Sequence, residues 1–478
     1  MNEKEPACLG CPLEKTGSGF AKSIGPPGAP IAIVGEALGY KEAQDGEPFV
    51  GQAGAYLNRA FSLLGLNRGQ FRIGNTVHCQ PPKDWLVGAP WEQAAIRHCH
   101  THRVLNLYAH SPSVYLTVGA TATRTVLSEI LKVEYQGKLN DWHSYVLGSQ
   151  PPFVIPTFHP AFLLRGKQAL MGALLFALRR AMEVASFGFT RQPVSLLVDP
   201  DPEQFAAWAT NVTPDCWLAV DVENPVTPGQ EEDEIALGVA QITRINFSIN
   251  PDQGLTVPWE PRYQATIRQL LSSPCPKVMW NERYDTHVLR QHGYECAGLI
   301  LDAMWAWHFL QSSMPRGLGF VSPFYSDLPP WKHLSQSNFG HYSAMDAVQT
   351  IRCMFGIAKD LKAQGQWDTF VRHCIQLDSR VLHPMEQVGL RLDPDRLTSF
   401  HAELETRSTQ LLSDIQALVP SHLRPLSGGW KNLPTGFPGS EVLAQTVKKL
   451  VTCCDDCGAV DVTSRHKCQK QLSLKEPV

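Results

Sequence analysis

Three groups of residues have the types and spacing that chemistry needs, and the most demanding of them is acidic. Asp221 and Glu223 alternate along CWLAVDVEN (216–224), so a strand there puts both on one face. Asp285 follows Asn281 across a strand-to-helix junction in WNERYDTHVL, and Tyr342 and Asp346 stand one helical turn apart in HYSAMDAVQT. Carboxylates gathered in a core repel one another unless cations lie between them. Two divalent ions about 4 Å apart would neutralise such a set and activate water for in-line attack on phosphate. Each piece alone is commonplace, since strands often carry DxE and helices often carry Yx3D on a solvated face. The order and the spacing of about 60 residues give the set its weight.

The second group begins with GEALGYKEAQDGEPFVG (35–51), directly after the apolar run IAIVG. Glycines, carboxylates and an aromatic crowd a loop at the carboxyl end of a strand, where open α/β sheets place ligands. NTVHCQPP (75–82) and HPAFLLR (159–165) are further candidate loops. The ordinary reading of each is a glycine-rich connection or a surface histidine before proline.

Cysteines make the third group. Of 13 in the chain, Cys8-x-x-Cys11, Cys79 and Cys99 form one set, and Cys454, Cys457 and Cys468 with His466 form another, with Cys453 a substitute ligand. In a reducing compartment such cysteines are metal ligands or small apolar core residues rather than disulfides. The first set fits zinc or an iron–sulfur cluster on spacing alone. The second fits one small zinc site, or a cysteine-rich tail without structure.

These residues need elements to hold them. Strands are expected at 31–35, 71–79, 113–118 and 153–158, with helices at 53–64, 91–109, 120–131 and 162–186. Such alternation predicts a parallel sheet flanked by helices. SFGFTRQP (186–193) reads as a linker, after which strands are expected at 195–199, 217–222, 236–249 and 277–280 and a long helix at 343–363. Residues 370–420 have a helical pattern, and LRPLSGGWKNLPTGFPGS (423–440) is irregular. The expected division is 1–186, 194–365, 366–440 and a cysteine-rich tail at 441–478.

Composition sets bounds without deciding anything. The 478 residues suffice for two or three cores, and a net charge of −3 means that any nucleic-acid contact relies on locally gathered basic groups. The amino terminus lacks a secretory pattern and no window approaches 18 uncharged apolar residues, so a cytoplasmic protein with no membrane partner is expected.

The three loops of the first half, taken in order, resemble the motifs of family 4 uracil-DNA glycosylases over residues 1–186. The resemblance implies a three-layer α/β domain in which Phe49 stacks on an extruded uracil and Asn75 reads its O4 and N3–H edge. It also implies that His159 hydrogen-bonds O2 as charge builds there, and that the backbone at Ala37 approaches the base. Glu36 and Glu42 lie in such a pocket, and either one orients water or offsets charge on the sugar. The resemblance further makes Cys8, Cys11, Cys79 and Cys99 the ligands of a [4Fe–4S] cluster. Leu38, Ala43, His78 and Gln80 depart from the family pattern, which leaves open a degenerate domain that binds DNA or senses uracil without excising it. PPKDWLVGAPWEQ lacks the basic insert of relatives that trap their product covalently.

The acidic set resembles the three motifs of DEDDy 3′→5′ exonucleases, nearest to the proofreading domain of family A DNA polymerases. That implies an RNase H-like fold, two Mg²⁺ or Mn²⁺ ions on Asp221, Glu223, Asp285 and Asp346, and Tyr342 positioning the attacking water. MPRGLGFVSPFYSDLPPWK (314–332) resembles a variant loop of phage-type enzymes and is expected to stack on single-stranded DNA. Residues 376–397 resemble the segment between exonuclease and thumb, and no palm or fingers motif follows residue 397. The expectation is a glycosylase and exonuclease acting on uracil-containing DNA and 3′ ends beside a separate DNA polymerase chain.

Overall fold

The computed structural model describes residues 4–100, 111–225, 240–389, 391 and 393–418. Four strands, β1 (Ile31–Gly35), β2 (Arg72–Asn75), β3 (Val114–Val118) and β4 (Phe153–Thr157), form a sheet in the order β2-β1-β3-β4. All of its pairings are parallel, with Gly35 opposite Asn75 and Val34 opposite Thr117. Every residue of β1, β3 and β4 is buried, as a parallel sheet covered on both faces requires. The covering helices include Gln52–Leu63, Ala120–Val126 and Met171–Phe187. The helix expected over 162–186 is broken after Leu164 and resumes at Met171.

A second, mixed sheet contains β5 (Ser195–Val198), β6 (Leu218–Glu223), β7 (Arg244–Asn250), β8 (Gln253–Pro258), β9 (Lys277–Met279) and β10 (Ile300–Asp302). Its order is β10-β9-β6-β7-β8-β5, antiparallel at β6–β7 and β7–β8 and parallel elsewhere. Along β6 the pleat sorts side chains by period two. Leu218, Val220 and Val222 enter one apolar cluster with Phe247 and Met279, whereas Ala219 joins another with Val348 and Ile351. Asp221 and Glu223 share the Ala219 face, which the helix Phe339–Ala363 covers.

The two sheets lie in one compact unit, Met1–Pro384, and a single apolar cluster runs between them from Ile33 and Ile155 to Met345 and Trp331. Polar contacts lock this junction. His143 is fully buried and donates from Nε2 to the Phe320 carbonyl at 2.9 Å, with the Phe320 ring 4.4 Å away and Phe158 at 5.1 Å. Arg180 donates to the Pro323 carbonyl at 2.6 Å and pairs with Asp327, and Arg191 donates to the Val146 carbonyl at 2.7 Å.

The second unit begins at Met385, and its described part is chiefly the helix Pro394–Leu418, whose first turn donates backbone N–H groups to the Asp393 carboxylate. The Gly/Pro-rich stretch 423–440 and the proposed zinc ligands Cys454, Cys457, His466 and Cys468 lie outside the described residues. Among the described residues, no helix is long and apolar enough to cross a membrane.

Burial drives the His143 pKa down to about 3. Between the ordinary value near 6.5 and that value, the unfolded chain binds a proton that the folded chain refuses. Stability from this site is therefore complete above pH 6.5 and is lost as pH falls. His143→Gln is expected to be less stable than wild type at pH 7.5, with the gap narrowing by about 2 kcal/mol at pH 5. Paired denaturant titrations at the two pH values check this, and a gap that widens on acidification contradicts it.

Candidate active sites

The carboxyl ends of β1 and β2 lie side by side, and the chain leaves β1 through Glu36, Ala37 and Leu38 into a short helix, Tyr40–Asp45. Further on, Phe49 holds φ at 56°, a left-handed backbone that costs an aromatic residue about 1–3 kcal/mol. Arg68 secures it by donating to the Pro48 carbonyl at 2.5 Å and the Phe49 carbonyl at 3.2 Å. The Phe49 ring consequently reaches Gly35. A Cβ there would stand 2.5 Å from Phe49 Cζ and 2.2 Å from Asn75 Oδ1, so only glycine lets both side chains approach.

His159 follows β4, and its ring centroid lies 6.0 Å from that of Phe49. It caps the helix Pro160–Leu164, where the Ala161 N–H donates to Nδ1 at 3.2 Å. With Nδ1 accepting, a neutral ring carries its proton on Nε2. Burial, with Arg165 nearby, lowers the His159 pKa to about 4, so the ring is neutral at pH 7. Glu36, Ala37, Glu42, Phe49, Asn75 and His159 line one cavity of about 490 Å³. Thr121 donates to the Glu36 carboxylate at 2.8 Å and the Gly51 N–H to Glu42 at 3.1 Å. The Asn75 amide is buried yet makes no hydrogen bond to another described side chain or backbone group.

Cys8 and Cys11 sit on a turn near the amino terminus, Cys79 follows β2, and Cys99 ends the helix Glu92–Cys99. They meet around a small enclosed space with Leu13, Phe20 and His78. Burial first, and then their mutual repulsion, pushes the Cys79 thiol up to about 12; burial pushes Cys99 to about 11. No three of these sulfurs come within 4.8 Å of one another.

In the second half, ligand oxygens of Asp221, Glu223 and Asp346 all lie within 4.8 Å of one another. Asn281, at φ 72°, turns the chain into the helix Glu282–Gln291, which carries Asp285 inward to accept from the Val222 N–H at 3.3 Å. Asn246, opposite Asp221 on β7, donates to Asp221 at 2.7 Å and to Glu223 at 3.2 Å. Trp331 Nε1 and Lys332 Nζ both reach Asp346 Oδ1, at 2.8 and 2.7 Å. Lys332 also donates to the Tyr342 hydroxyl at 3.3 Å. Burial, then Asp221 and Asp346, raises the Glu223 pKa to about 9, and burial with Asp221 raises that of Asp285 well above its ordinary value. The corner holds more negative charge than its own donors offset.

A family model for the uracil DNA glycosylase superfamily matches residues 22–182. The type-4 uracil-DNA glycosylase of Thermotoga maritima is 32% identical over 169 residues, which are 35% of this chain and 83% of the relative. That of Pyrobaculum aerophilum is 31% identical over 177 residues, 36% of this chain and 86% of the relative. This chain belongs to the type-4 uracil-DNA glycosylase family. The relationship concerns its first sheet. DNA polymerase I of Synechocystis sp. is 29% identical over 143 residues, but those are only 14% of that protein. The POL domain of Pol1 from M. smegmatis, in complex with DNA primer-template and dNTP, has a TM-score of 0.37 at 14% identity, over 53% of this chain and 45% of that one. A score that low carries no argument, and the second site rests on its own geometry.

In this type-4 glycosylase the structure gathers every residue expected at the first cavity, and gathers the four carboxylates with Tyr342 at the second. The departures have plain surroundings. Leu38 lines the cavity, His78 is buried and donates to the Ala21 carbonyl at 2.7 Å, and Gln80 bonds Asp84. One expectation needs correction: residues 314–332 offer no stacking platform. Phe320 and Trp331 are buried, Phe324 packs on Trp307, and the Tyr325 hydroxyl bonds Asp360, because this segment fills the junction between the sheets. Sequence reasoning missed Asn246 and Lys332. Asn246 left no signal beyond a polar residue inside an apolar strand, and Lys332 stood at the end of a segment read as a loop.

Proposed function

We propose that the chain removes uracil from DNA with its first half (1–186) and degrades DNA from the 3′ end with its second (194–365). The convergence of an aromatic ring, an unpartnered buried amide and a tautomer-fixed imidazole on one cavity carries the first reading. Phe49 stacks on an extruded base, while the Asn75 amide pairs with O4 and N3–H and so rejects cytosine, whose donors and acceptors are reversed. Neutral His159 donates from Nε2 to O2, where negative charge develops as the glycosidic bond breaks. Glu36 and Glu42, held by Thr121 and Gly51, have the chemistry to orient water or offset charge on the sugar. The family relationship supports DNA as the substrate.

Four thiols around one small space, with burial and neighbouring sulfurs raising the pKa of Cys79 and Cys99, suit an electrophilic metal group, which needs them as thiolates. The family relationship favours a [4Fe–4S] cluster that ties the amino-terminal turn to Cys79 and Cys99. Zinc on Cys454, Cys457, His466 and Cys468 stays a proposal from spacing.

Excess charge at the second site supports the exonuclease reading. Asp221, Glu223, Asp285 and Asp346 would hold Mg²⁺ or Mn²⁺, which supply a Lewis acid for water and neutralise phosphate charge when bound. Tyr342 orients the attacking water with its hydroxyl, and Asn246 keeps Asp221 and Glu223 in register. The resemblance of 376–397 to the segment before a polymerase thumb supports proofreading beside a separate polymerase chain.

In an assay on a uracil-containing oligonucleotide, Asn75→Ala and His159→Ala should each slow abasic-site formation at least about 100-fold. Wild type that binds this DNA and leaves uracil intact would mark the domain as a tether instead. Asp221→Ala should abolish metal-dependent release of 3′ nucleotides while uracil excision continues; undiminished digestion refutes the carboxylate assignment. Chemical analysis should find about four irons and four sulfides per chain, lost in Cys79→Ser, and zinc in their place would overturn the cluster.

A further inference from the structure

We propose that Lys332 is a positioning residue of the exonuclease centre, and that Asp141 of the glycosylase half sets where its ammonium stands. The inference rests on the exonuclease reading above. Two residues of the helix Phe339–Ala363 reach the centre, and Lys332 Nζ bridges them, 2.7 Å from Asp346 Oδ1 and 3.3 Å from the Tyr342 hydroxyl. The same ammonium lies 4.9 Å from the Tyr342 ring centroid. Its N–H donates into the phenol oxygen, so the phenol's own hydrogen turns away from Lys332. That contact ties the phenol oxygen to the same ammonium that holds Asp346.

The place of this ammonium is fixed from outside the second sheet. Gly319 separates Lys332 from Asp141. A Cβ on Gly319 would fall 3.2 Å from Lys332 Cγ and 2.7 Å from Asp141 Oδ1. Next in sequence, His333 packs its ring on Trp142 at 4.9 Å. Tyr145 donates to the Gly319 carbonyl at 3.4 Å and His143 to that of Phe320 at 2.9 Å. Residues 141–145 of one half thus grip the segment that delivers Lys332 to the other, and Asp141 places a negative charge beside its stem. A lysine among carboxylates often does no more than neutralise them. Here the bridge to the phenol assigns an orienting role.

The test uses the full chain, a 3′-labelled single-stranded oligonucleotide and Mn²⁺. Lys332→Met should lower kcat about 100-fold, as misplacement of a reacting group by about 1 Å does, with KM for DNA within about threefold and uracil excision at the wild-type rate. Lys332→Met/Tyr342→Phe should be no slower than Tyr342→Phe alone, whereas losses that multiply would overturn an action through the phenol. Mn²⁺ binding without DNA, followed by electron paramagnetic resonance, should be as tight or tighter in Lys332→Met, because a like charge has been removed; weaker binding would mean collapsed carboxylates and a structural role. Asp141→Asn should show the same kcat-only loss at smaller size and add nothing to Lys332→Met, and full activity would overturn the part given to Asp141. Wild type that releases no 3′ nucleotide sinks the exonuclease reading itself. Active wild type with an unimpaired Lys332→Met sinks this inference alone.

Discussion

Like charges pressed together in a low-dielectric corner are the constraint around which the second half is built. The pleat of β6 leaves no choice: if Leu218, Val220 and Val222 face one apolar cluster, Asp221 and Glu223 face the other side, under the long helix that brings Asp346. Removing a carboxylate from water without a partner costs several kcal/mol. The corner therefore collects every donor within reach. Asn246 spans the two strand carboxylates, the Val222 N–H meets Asp285, and Trp331 and Lys332 share one oxygen of Asp346. Even so, Glu223 is driven to about 9, and a site so poised has a standing demand for cations.

The first half obeys a different limit, that of space at the ends of parallel strands. Gly35 must be a glycine for the Phe49 ring and the Asn75 amide to meet, and a Cβ on Gly119, at φ 99°, would stand 3.2 Å from His159 Cβ. Backbone strain at Phe49 is offset by Arg68, which holds two successive carbonyls. The histidine is set by a single backbone contact: the Ala161 N–H fills Nδ1, and the proton of the neutral ring is left on Nε2.

Much of this was legible from residue order. Alternating apolar runs and punctuating glycines revealed the strands β1, β3 and β4 almost to the residue, because strands buried on both faces have no other composition. The site loops were readable because their residue types are costly anywhere else. What stayed hidden was tertiary. The strand β8 offers only Leu255 and Val257 as an apolar signal, and the helix Phe339–Ala363 packs against it. Residues 314–332 have the prolines and aromatics of an exposed recognition loop, and only the neighbouring sheet turns those aromatics inward. Lys332 could not be placed at the acidic corner without knowing that the segment before it is a wedge.

That wedge changes what the chain is. Phe158, at the wall of the first cavity, touches the rings of His143 and Phe320, and Phe320 belongs to the other half. Severing the polypeptide near Gly188 would lay bare Phe320, Trp331 and the apolar flank of the first sheet together, so neither piece would keep a dry interior. The two sites are consequently not beads on a string, since one continuous apolar core runs beneath both. They are two faces cut into one stone.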